Sequence, residues 1–281
     1  MHVSSSTMLR VGSVPYLVGR PLDEGLEREP GVRLERRVPA ELVARLRAGE
    51  LDVALVSSIE LFRAPGYRYL DGLGVAGEGH VASVQVFLRR DIEDVRTVAL
   101  DPASRAAATL VRVLFERRLG GDAGLPRKGV TWAEVVSGAD PRAVAADAWL
   151  RIGDPALREY LAADAPPVFN PSAEWTSRTG LPFVFAVWIV RAGVDLAPEH
   201  LAAFARARGL GRERIDALAA EAARTWNLAE ADCRRYLRDE CLYEPGARMR
   251  PSLLRFRDEA AAIGLARADC TPEPVEFAHV A

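Results

Sequence analysis

The chain has 281 residues, and 49% of them are hydrophobic, so it can bury a full core in one or two domains. Its formal net charge is −2 and it has no long basic run, which argues against bulk attraction to nucleic acid or to an anionic membrane surface. The longest apolar run, residues 181–190, is too short to span a bilayer. We therefore expect no nucleic-acid partner and no membrane partner.

The cysteines and histidines are isolated along the sequence. Cys233, Cys241 and Cys270 form no CxxC pair, and their odd number argues against a disulfide framework. The four histidines belong to no HExxH motif and to no Cys/His cluster, so we expect no bound metal. Residues 1–7 have none of the apolar character of a secretory signal, and a reducing cytoplasm is the expected compartment.

Strand-like and helix-like segments alternate up to about residue 190. The patterns predict strands at 9–11, 32–39, 51–58, 83–90, 96–102, the first part of 145–157, and 181–191. Predicted helices begin near residues 39, 58, 104 and 153. The segment 72–77 has the GxG spacing of some phosphate sites, but because no clear helix follows it, we predict a loop there. Only helices are predicted after residue 197.

This alternation is typical of βαβ units and predicts an α/β fold with mainly parallel sheets. The late helices need a folded surface to pack on, which favours two lobes with these helices on the first. We expect the chain to cross between the lobes near residues 91–96 and 185–191. Lobe 1 would comprise residues 8–93 and 188–281, and lobe 2 residues 94–187. A ligand would bind in the cleft between the lobes, at strand ends and helix N-termini.

Polar turns follow four of the predicted strands, and a fifth polar turn precedes the last strand. They are residues 12–16, 57–58, 101–105, 153–155 and 176–180. Their hydroxyl and backbone N–H groups suit a bound anion, above all a carboxylate. The simpler interpretation of each single serine is a helix N-cap, and Asp154 is either a general base or a turn former. Because no GxSxG motif, P-loop or dinucleotide fingerprint occurs, the residues alone indicate a two-lobed binder of a small anion, or an enzyme acting on one.

Six segments are informative when they are taken together in chain order. They are VGSVPYLVGRPL (11–22), GELDVALVSSIELF (49–62), SVQVFLRR (83–90), ALDPASR (99–105), RIGDPAL (151–157) and EWTSRTGLPFVFAVW (174–188). In order and spacing they resemble the chorismate dehydratase family, which begins the futalosine route to menaquinone. The resemblance extends from about residue 9 to 270 and implies the two-lobed fold of type II periplasmic binding proteins. It also implies a cytoplasmic enzyme without a cofactor that removes water from chorismate to give 3-[(1-carboxyvinyl)oxy]benzoate.

The resemblance implies a set of site residues as well. Ser83 matches the serine in the cleft of the family and is the expected catalytic residue. The expected substrate-binding residues are Tyr16, Val18, Ser57, Ser58, Ser104, Arg105, Asp154, Thr179 and Gly180. The residues that we expect to approach one cleft are Ser57, Ser83, Ser104, Arg105 and Thr179.

The sequence departs from the family pattern at two places. Val18 occupies a position where the family usually has an asparagine that contacts the substrate, and Ala106 and Ala107 end a loop that usually reads Ser-Arg-Thr-Ser. Losing a hydrogen bond to a charged group costs about 1.5–3 kcal/mol. Val18 therefore predicts either a weakened activity or a different substrate.

Two alternatives remain open from the sequence. The first is the sister enzyme that makes 1,4-dihydroxy-6-naphthoate, but its usual opening motif of the Ser-Pro-Cys-Pro-Asn-Asp type is absent here. The second is a binder of a small carboxylate without catalytic activity, which Val18, Ala106 and Ala107 favour and the missing secretory signal opposes. The sequence leaves the oligomeric state open.

Overall fold

The structure is a computed structural model that describes residues 8–119, 129–136 and 138–276. The strands are β1 (Leu9–Ser13), β2 (Val32–Arg36), β3 (Val53–Ser57), β4 (Arg68–Gly77), β5 (Val84–Leu88), β6 (Thr97–Leu100), β7 (Thr131–Glu134), β8 (Ala148–Ile152), β9 (Val168–Phe169), β10 (Phe183–Val190) and β11 (Glu273–Val275). The α-helices are α1 (Arg20–Asp23), α2 (Pro39–Arg47), α3 (Arg105–Glu116), α4 (Gly153–Tyr160), α5 (Pro171–Thr179), α6 (Pro198–Glu213), α7 (Ile215–Trp226), α8 (Glu230–Arg235) and α9 (Met249–Ala261).

The strands of the described ranges form two sheets. The first sheet has six strands in the order β11-β4-β10-β3-β1-β2, and the second has five in the order β7-β6-β8-β5-β9, counted over those ranges. Parallel pairs join β1 to β2 and β3, and β6 to β7 and β8. β10 is antiparallel to β3 and β4, and β5 is antiparallel to β8 and β9. Both sheets are therefore mixed, whereas the sequence predicted mainly parallel sheets. The strands that run antiparallel to their neighbours are β5 and β10, and each is the first strand after a passage between the sheets.

The two passages lie earlier along the chain than the predicted crossings at 91–96 and 185–191. The chain leaves the first sheet after Gly77 and enters the second at Val84. It leaves the second sheet after Phe169 and returns at Phe183. The alternating pattern of β5 indicates a strand, but it does not determine which sheet the strand joins, since that choice depends on its pairing with β8.

Local signals explain why several elements form where they do. α2 begins with Pro39 in its first turn, buries Leu42, Val43 and Leu46 on one face, and ends just before Gly49, whose φ is 74°. All of β3 is buried, as expected for its continuous apolar run. These local patterns place the strand and helix ends that surround the cleft.

Two local predictions are wrong. Residues 72–77 are not a loop, because they form the second half of β4. A Cβ added to Gly74 would lie 2.6 Å from the carbonyl oxygen of Ala186, so this glycine allows β10 to approach closely. Residues 176–180 are not a free polar turn either, because they are the end of α5, which Gly180 terminates with φ 68°.

The C-terminal helices pack on the first sheet. Trp188 of β10 meets Phe204 of α6 edge to face, with 5.0 Å between ring centroids. Phe183 of β10 meets Phe256 of α9 in the same way at 4.7 Å. These rings belong to one buried cluster with the strand residues, so the helices share the core of that sheet. Within the described ranges, no helix has the length and apolar character that crossing a membrane requires.

Candidate active site

A cavity lies between the two sheets, where strand ends from both converge. The space inside it that a water-sized sphere can reach is about 70 Å³, so the cavity is narrow, and the empty space is about 600 Å³ when its open mouth is included. The first sheet contributes the turn after β1, the end of β3 and part of β10, and the second contributes the start of β5 and the junction of β8 with α4. The lining residues are Val14, Tyr16, Val18, Pro39, Val56, Ser57, Val75, Val81, Ser83, Val84, Ser104, Ile152, Gly153, Phe185 and Ala186.

Tyr16 lies where this cavity meets a neighbouring one that is lined by Asp101 and Arg151. Burial raises the pKa of Tyr16 to about 12, and the nearby carboxylates of Asp101 and Asp154 add to the shift. Its phenol therefore stays protonated at neutral pH. Tyr16 can donate a hydrogen bond to an anion in the cleft.

Val18 lies in the same turn and lines the cavity with its apolar side chain. It is 9% exposed, so its surface faces mainly protein. Val14 and Val56 line the cavity with it. The position where the family usually has an amide is thus part of an apolar wall.

Asp154 connects the turn after β1 to α4 and does not line the main cavity. Its Oδ1 accepts a hydrogen bond from the backbone N–H of Leu17 at 3.0 Å. Burial raises the pKa of Asp154 to about 6, although this bond and the charge of Arg158 oppose the shift. The carboxylate faces a separate small cavity that is also lined by Arg20 and Trp226.

Ser57 and Ser58 are neighbours with different surroundings. Ser57 ends β3 and lines the cavity, and its side chain makes no capping bond to the short 3₁₀ helix that follows. Ser58 is fully buried, and its hydroxyl donates to the carbonyl oxygen of Val184 at 2.6 Å. Ser57 is therefore available to a ligand, whereas Ser58 holds β10 in place.

The N-terminus of α3 lies at the cavity. Ser104 caps this helix by accepting a hydrogen bond from the N–H of Ala107 at 3.2 Å, and it also lines the cavity. The N–H groups of Arg105 and Ala106 have no hydrogen-bond partner among the described residues. Such N–H groups, with the helix dipole behind them, favour an anion.

Ser83 lies immediately before β5 and is 4% exposed. Its Oγ accepts a hydrogen bond from the hydroxyl of Tyr236 at 2.8 Å. Tyr236 is buried and begins a five-residue π-helix that continues α8. The sequence pattern does not point to Tyr236, because an aromatic residue in a helical segment is usually part of the core and nothing local connects it to Ser83.

Besides Ser58 and Asp154, three more residues of the predicted site lie outside the cavity lining. Arg105 is exposed on the first turn of α3. Thr179 donates its hydroxyl to the carbonyl oxygen of Trp175 at 2.8 Å, which is a bond inside α5. The carbonyl of Gly180 accepts a hydrogen bond from Arg248 at 2.8 Å. Of the five residues expected to approach one cleft, Ser57, Ser83 and Ser104 line it, and Arg105 and Thr179 do not.

The cavity combines hydroxyl groups with an apolar surface. Tyr16, Ser57, Ser83 and Ser104 supply the hydroxyls, and no residue in the lining of this cavity, as far as the chain is described, is acidic or basic. Over those same ranges, no group of three or more His, Cys, Asp or Glu residues is arranged to hold a metal ion. The site can hold and orient a small organic anion and exclude water from it.

Comparison with known proteins shows close relatives of the sequence. Residues 9–262 match the family model described as menaquinone biosynthesis. The chorismate dehydratase of Thermus thermophilus is 33% identical over 246 residues, which cover 79% of this chain and 83% of that protein. The chorismate dehydratase of Campylobacter jejuni is 30% identical over 171 residues, which cover 61% of this chain and 58% of that protein.

Solved structures share the fold at lower identity. A protein of Archaeoglobus fulgidus superposes with a TM-score of 0.73 at 15% identity, covering 93% of this chain and 99% of that one. The alkanesulfonate-binding protein of Xanthomonas axonopodis superposes with a TM-score of 0.63 at 19% identity, covering 92% and 93%. The fold is thus that of the periplasmic binding proteins, as the sequence predicted. On the match over residues 9–262, the chain belongs to the menaquinone-biosynthesis family and is related within it to the chorismate dehydratases.

Proposed function

We propose that this chain is a chorismate dehydratase, a hydro-lyase that converts chorismate into 3-[(1-carboxyvinyl)oxy]benzoate and water. Two curated relatives with this name support the proposal. The observation that carries it is the cavity between the sheets, which offers hydroxyl groups and apolar side chains without an ionisable acid or base other than Tyr16 in its described lining. We also propose that the two sheets are the cores of two lobes and that the substrate binds between them.

The substrate explains why so few catalytic side chains are needed. One ring carbon loses a proton, and the electron pair of that C–H bond moves toward the ring carboxylate through a double bond. The neighbouring carbon then loses its hydroxyl group, the C–O bond breaks, and the proton and hydroxide together make one water. The ring becomes aromatic, so much of the driving force lies in the substrate.

The protein has to stabilise the charge that grows on the ring carboxylate. Hydrogen-bond donors that are already in place are the most effective means of doing this in a site that excludes water. The start of α3 offers such donors in the N–H groups of Arg105 and Ala106 and in the hydroxyl of Ser104. We assign one substrate carboxylate to this place and the Ser83 hydroxyl to the reacting part of the ring.

The proton acceptor in this proposal is the enolpyruvyl carboxylate of the substrate itself. The candidate acid on the protein, Asp154, accepts its hydrogen bond from Leu17 and lines a different cavity. A base on the protein is therefore unnecessary. This assignment agrees with the uncharged lining of the main cavity.

Ultraviolet spectroscopy tests the activity directly, because the product is aromatic and the substrate is a cyclohexadiene. Purified protein is incubated with chorismate, and the products are separated and identified by mass. Loss of one water with formation of the benzoate product is the expected result. Unchanged chorismate that nevertheless binds the protein would favour the non-catalytic binder, to which Val18 lends support.

A further inference from the structure

The segment that joins the first sheet to the second contains Ser83 and is held by the C-terminal part of the chain. The π-helix at Tyr236–Glu240 makes two hydrogen bonds to this segment. The hydroxyl of Tyr236 bonds Oγ of Ser83 at 2.8 Å, and Oε2 of Glu240 accepts the N–H of Ala82 at 2.8 Å. π-helical turns are rare and occur frequently at functional sites.

The hydrogen bond between Tyr236 and Ser83 has a definite direction. A phenol is a stronger hydrogen-bond donor than an alkyl hydroxyl, so Tyr236 donates and Ser83 accepts. Burial raises the pKa of Tyr236 well above its usual value, with Cys241 and Tyr243 nearby, and the phenol keeps its proton at every working pH. Burial also raises the pKa of the Cys241 thiol, which lies beside the Tyr236 hydroxyl, to about 12, so the thiol stays neutral and is a weaker acceptor than Oγ of Ser83.

The direction of this bond determines what Ser83 can do. Ser83 has one hydroxyl proton, and one of its lone pairs is occupied by Tyr236. Its carbonyl is also occupied, because it accepts the N–H of Gly153 at 2.8 Å. The Ser83 hydroxyl donates to no other described residue, so its proton is free to face the cavity that Ser83 lines, where the side chains of Val81 and Val84 offer no acceptor.

We propose that Tyr236 is a positioning residue that makes Ser83 a fixed hydrogen-bond donor to the substrate. The inference rests on the proposed function, because it assigns a role within the same cleft. Tyr236 does not line the cavity and acts through Ser83 alone. It removes the freedom of the serine to turn its proton away from the ligand, so the donor is in place before charge develops.

The test is a double-mutant cycle with a matched control. Tyr236→Phe removes the hydroxyl and keeps the ring, and Tyr243→Phe makes the same change at a buried tyrosine that lies beside Cys241 and makes no hydrogen bond to Ser83. We expect Tyr236→Phe to lower kcat about tenfold and to leave KM nearly unchanged, because the lost donor acts in the transition state. Tyr243→Phe should leave both constants unchanged.

The second arm repeats Tyr236→Phe in a Ser83→Ala background. If Tyr236 acts through Ser83, the second substitution should cause no further loss of kcat. An equal loss in both backgrounds, or no loss in the wild-type background, would overturn the proposal. Melting temperatures of all variants show whether packing has changed.

Crystal structures of the wild type and of Tyr236→Phe provide a measurement that needs no turnover. The expected result is a single Ser83 side-chain rotamer in the wild type and two or more in the variant. One unchanged rotamer in both proteins would contradict positioning. If the wild type fails to dehydrate chorismate, the proposed function fails, and this structural comparison still decides the role of Tyr236.

Discussion

The backbone N–H of Leu17 donates to Oδ1 of Asp154 at 3.0 Å, and this bond joins the turn after β1 to the first turn of α4. The two partners are 137 residues apart in the chain and belong to opposite sides of the cleft. This hydrogen bond holds the turn after β1 against α4. It thereby helps to place Tyr16 and Val18 at the cavity, since both lie in that turn. Asp154 is thus best explained as a support of the site.

We expect Asp154 to make the protein less stable as the pH rises from about 4 to about 6. Burial raises its pKa from 3.8 to about 6 in the folded chain, so between these values the folded state binds more protons than the unfolded state. The free energy of unfolding therefore falls across this window, by about 2–3 kcal/mol, and stays at the lower level above it. Asp154→Asn keeps the acceptor and abolishes the titration, so it should be more stable than the wild type at pH 7.5 and differ less at pH 4.

Urea denaturation of both proteins at the two pH values measures this difference. Asp154→Ala is the control, because it removes the acceptor and leaves the N–H of Leu17 unpaired. It should be less stable than Asp154→Asn by about 1–3 kcal/mol at both pH values. A stability difference between wild type and Asp154→Asn that does not change with pH would contradict the raised pKa.

Asp154→Asn also tests which group accepts the proton that chorismate loses. Because the Asp154 carboxylate does not line the main cavity, Asp154→Asn should keep kcat for chorismate within about threefold of the wild type. A general base on the protein contributes about 10²- to 10⁴-fold, so its removal would be unmistakable. Steady-state rates and a chorismate binding constant decide the matter. A loss of more than a hundredfold in kcat with unchanged binding would identify Asp154 as the base.

Val18→Asn should improve the enzyme. The new amide would line the cavity where it can hydrogen-bond a charged substrate, a contact worth about 1.5–3 kcal/mol, which is roughly ten- to hundredfold in kcat/KM. Its polar atoms face a cleft that water can enter, so the melting temperature should change little. Val18→Ala is the control, since it opens the same space without a polar group and should give no gain. Unchanged turnover with a much lower melting temperature would show that Val18 is core.

Ser57→Ala and Ser58→Ala should have opposite effects although the residues are adjacent. Ser57 lines the cavity, so its loss should lower kcat/KM about tenfold and leave stability unchanged. Ser58 bonds the carbonyl of Val184 inside the protein, so its loss should cost about 1–3 kcal/mol of stability with little effect on the rate. Thermal denaturation and initial rates for the pair check this. Equal losses of activity in both would mean that Ser58 also contacts the substrate.

Local sequence patterns predicted much of the fold. The continuous apolar run of β3, the amphipathic face of α2 and the capping serine of α3 each follow from periodicity and from the preferences of single residues. The motifs between residues 11 and 188 were also sufficient to indicate the family. These features are local, or lie in a fixed order along the chain, so the sequence displays them without any knowledge of contacts.

Tertiary structure decided what the sequence left open. The same alternating pattern of β5 fits either sheet, and only its pairing with β8 assigns it to the second. Thr179 has a suitable hydroxyl, but the geometry of α5 turns it to the carbonyl of Trp175. Tyr236 reaches Ser83 across 153 positions of the chain. Such contacts depend on how distant elements pack in three dimensions. A pattern along the chain does not show which side chains that packing brings together.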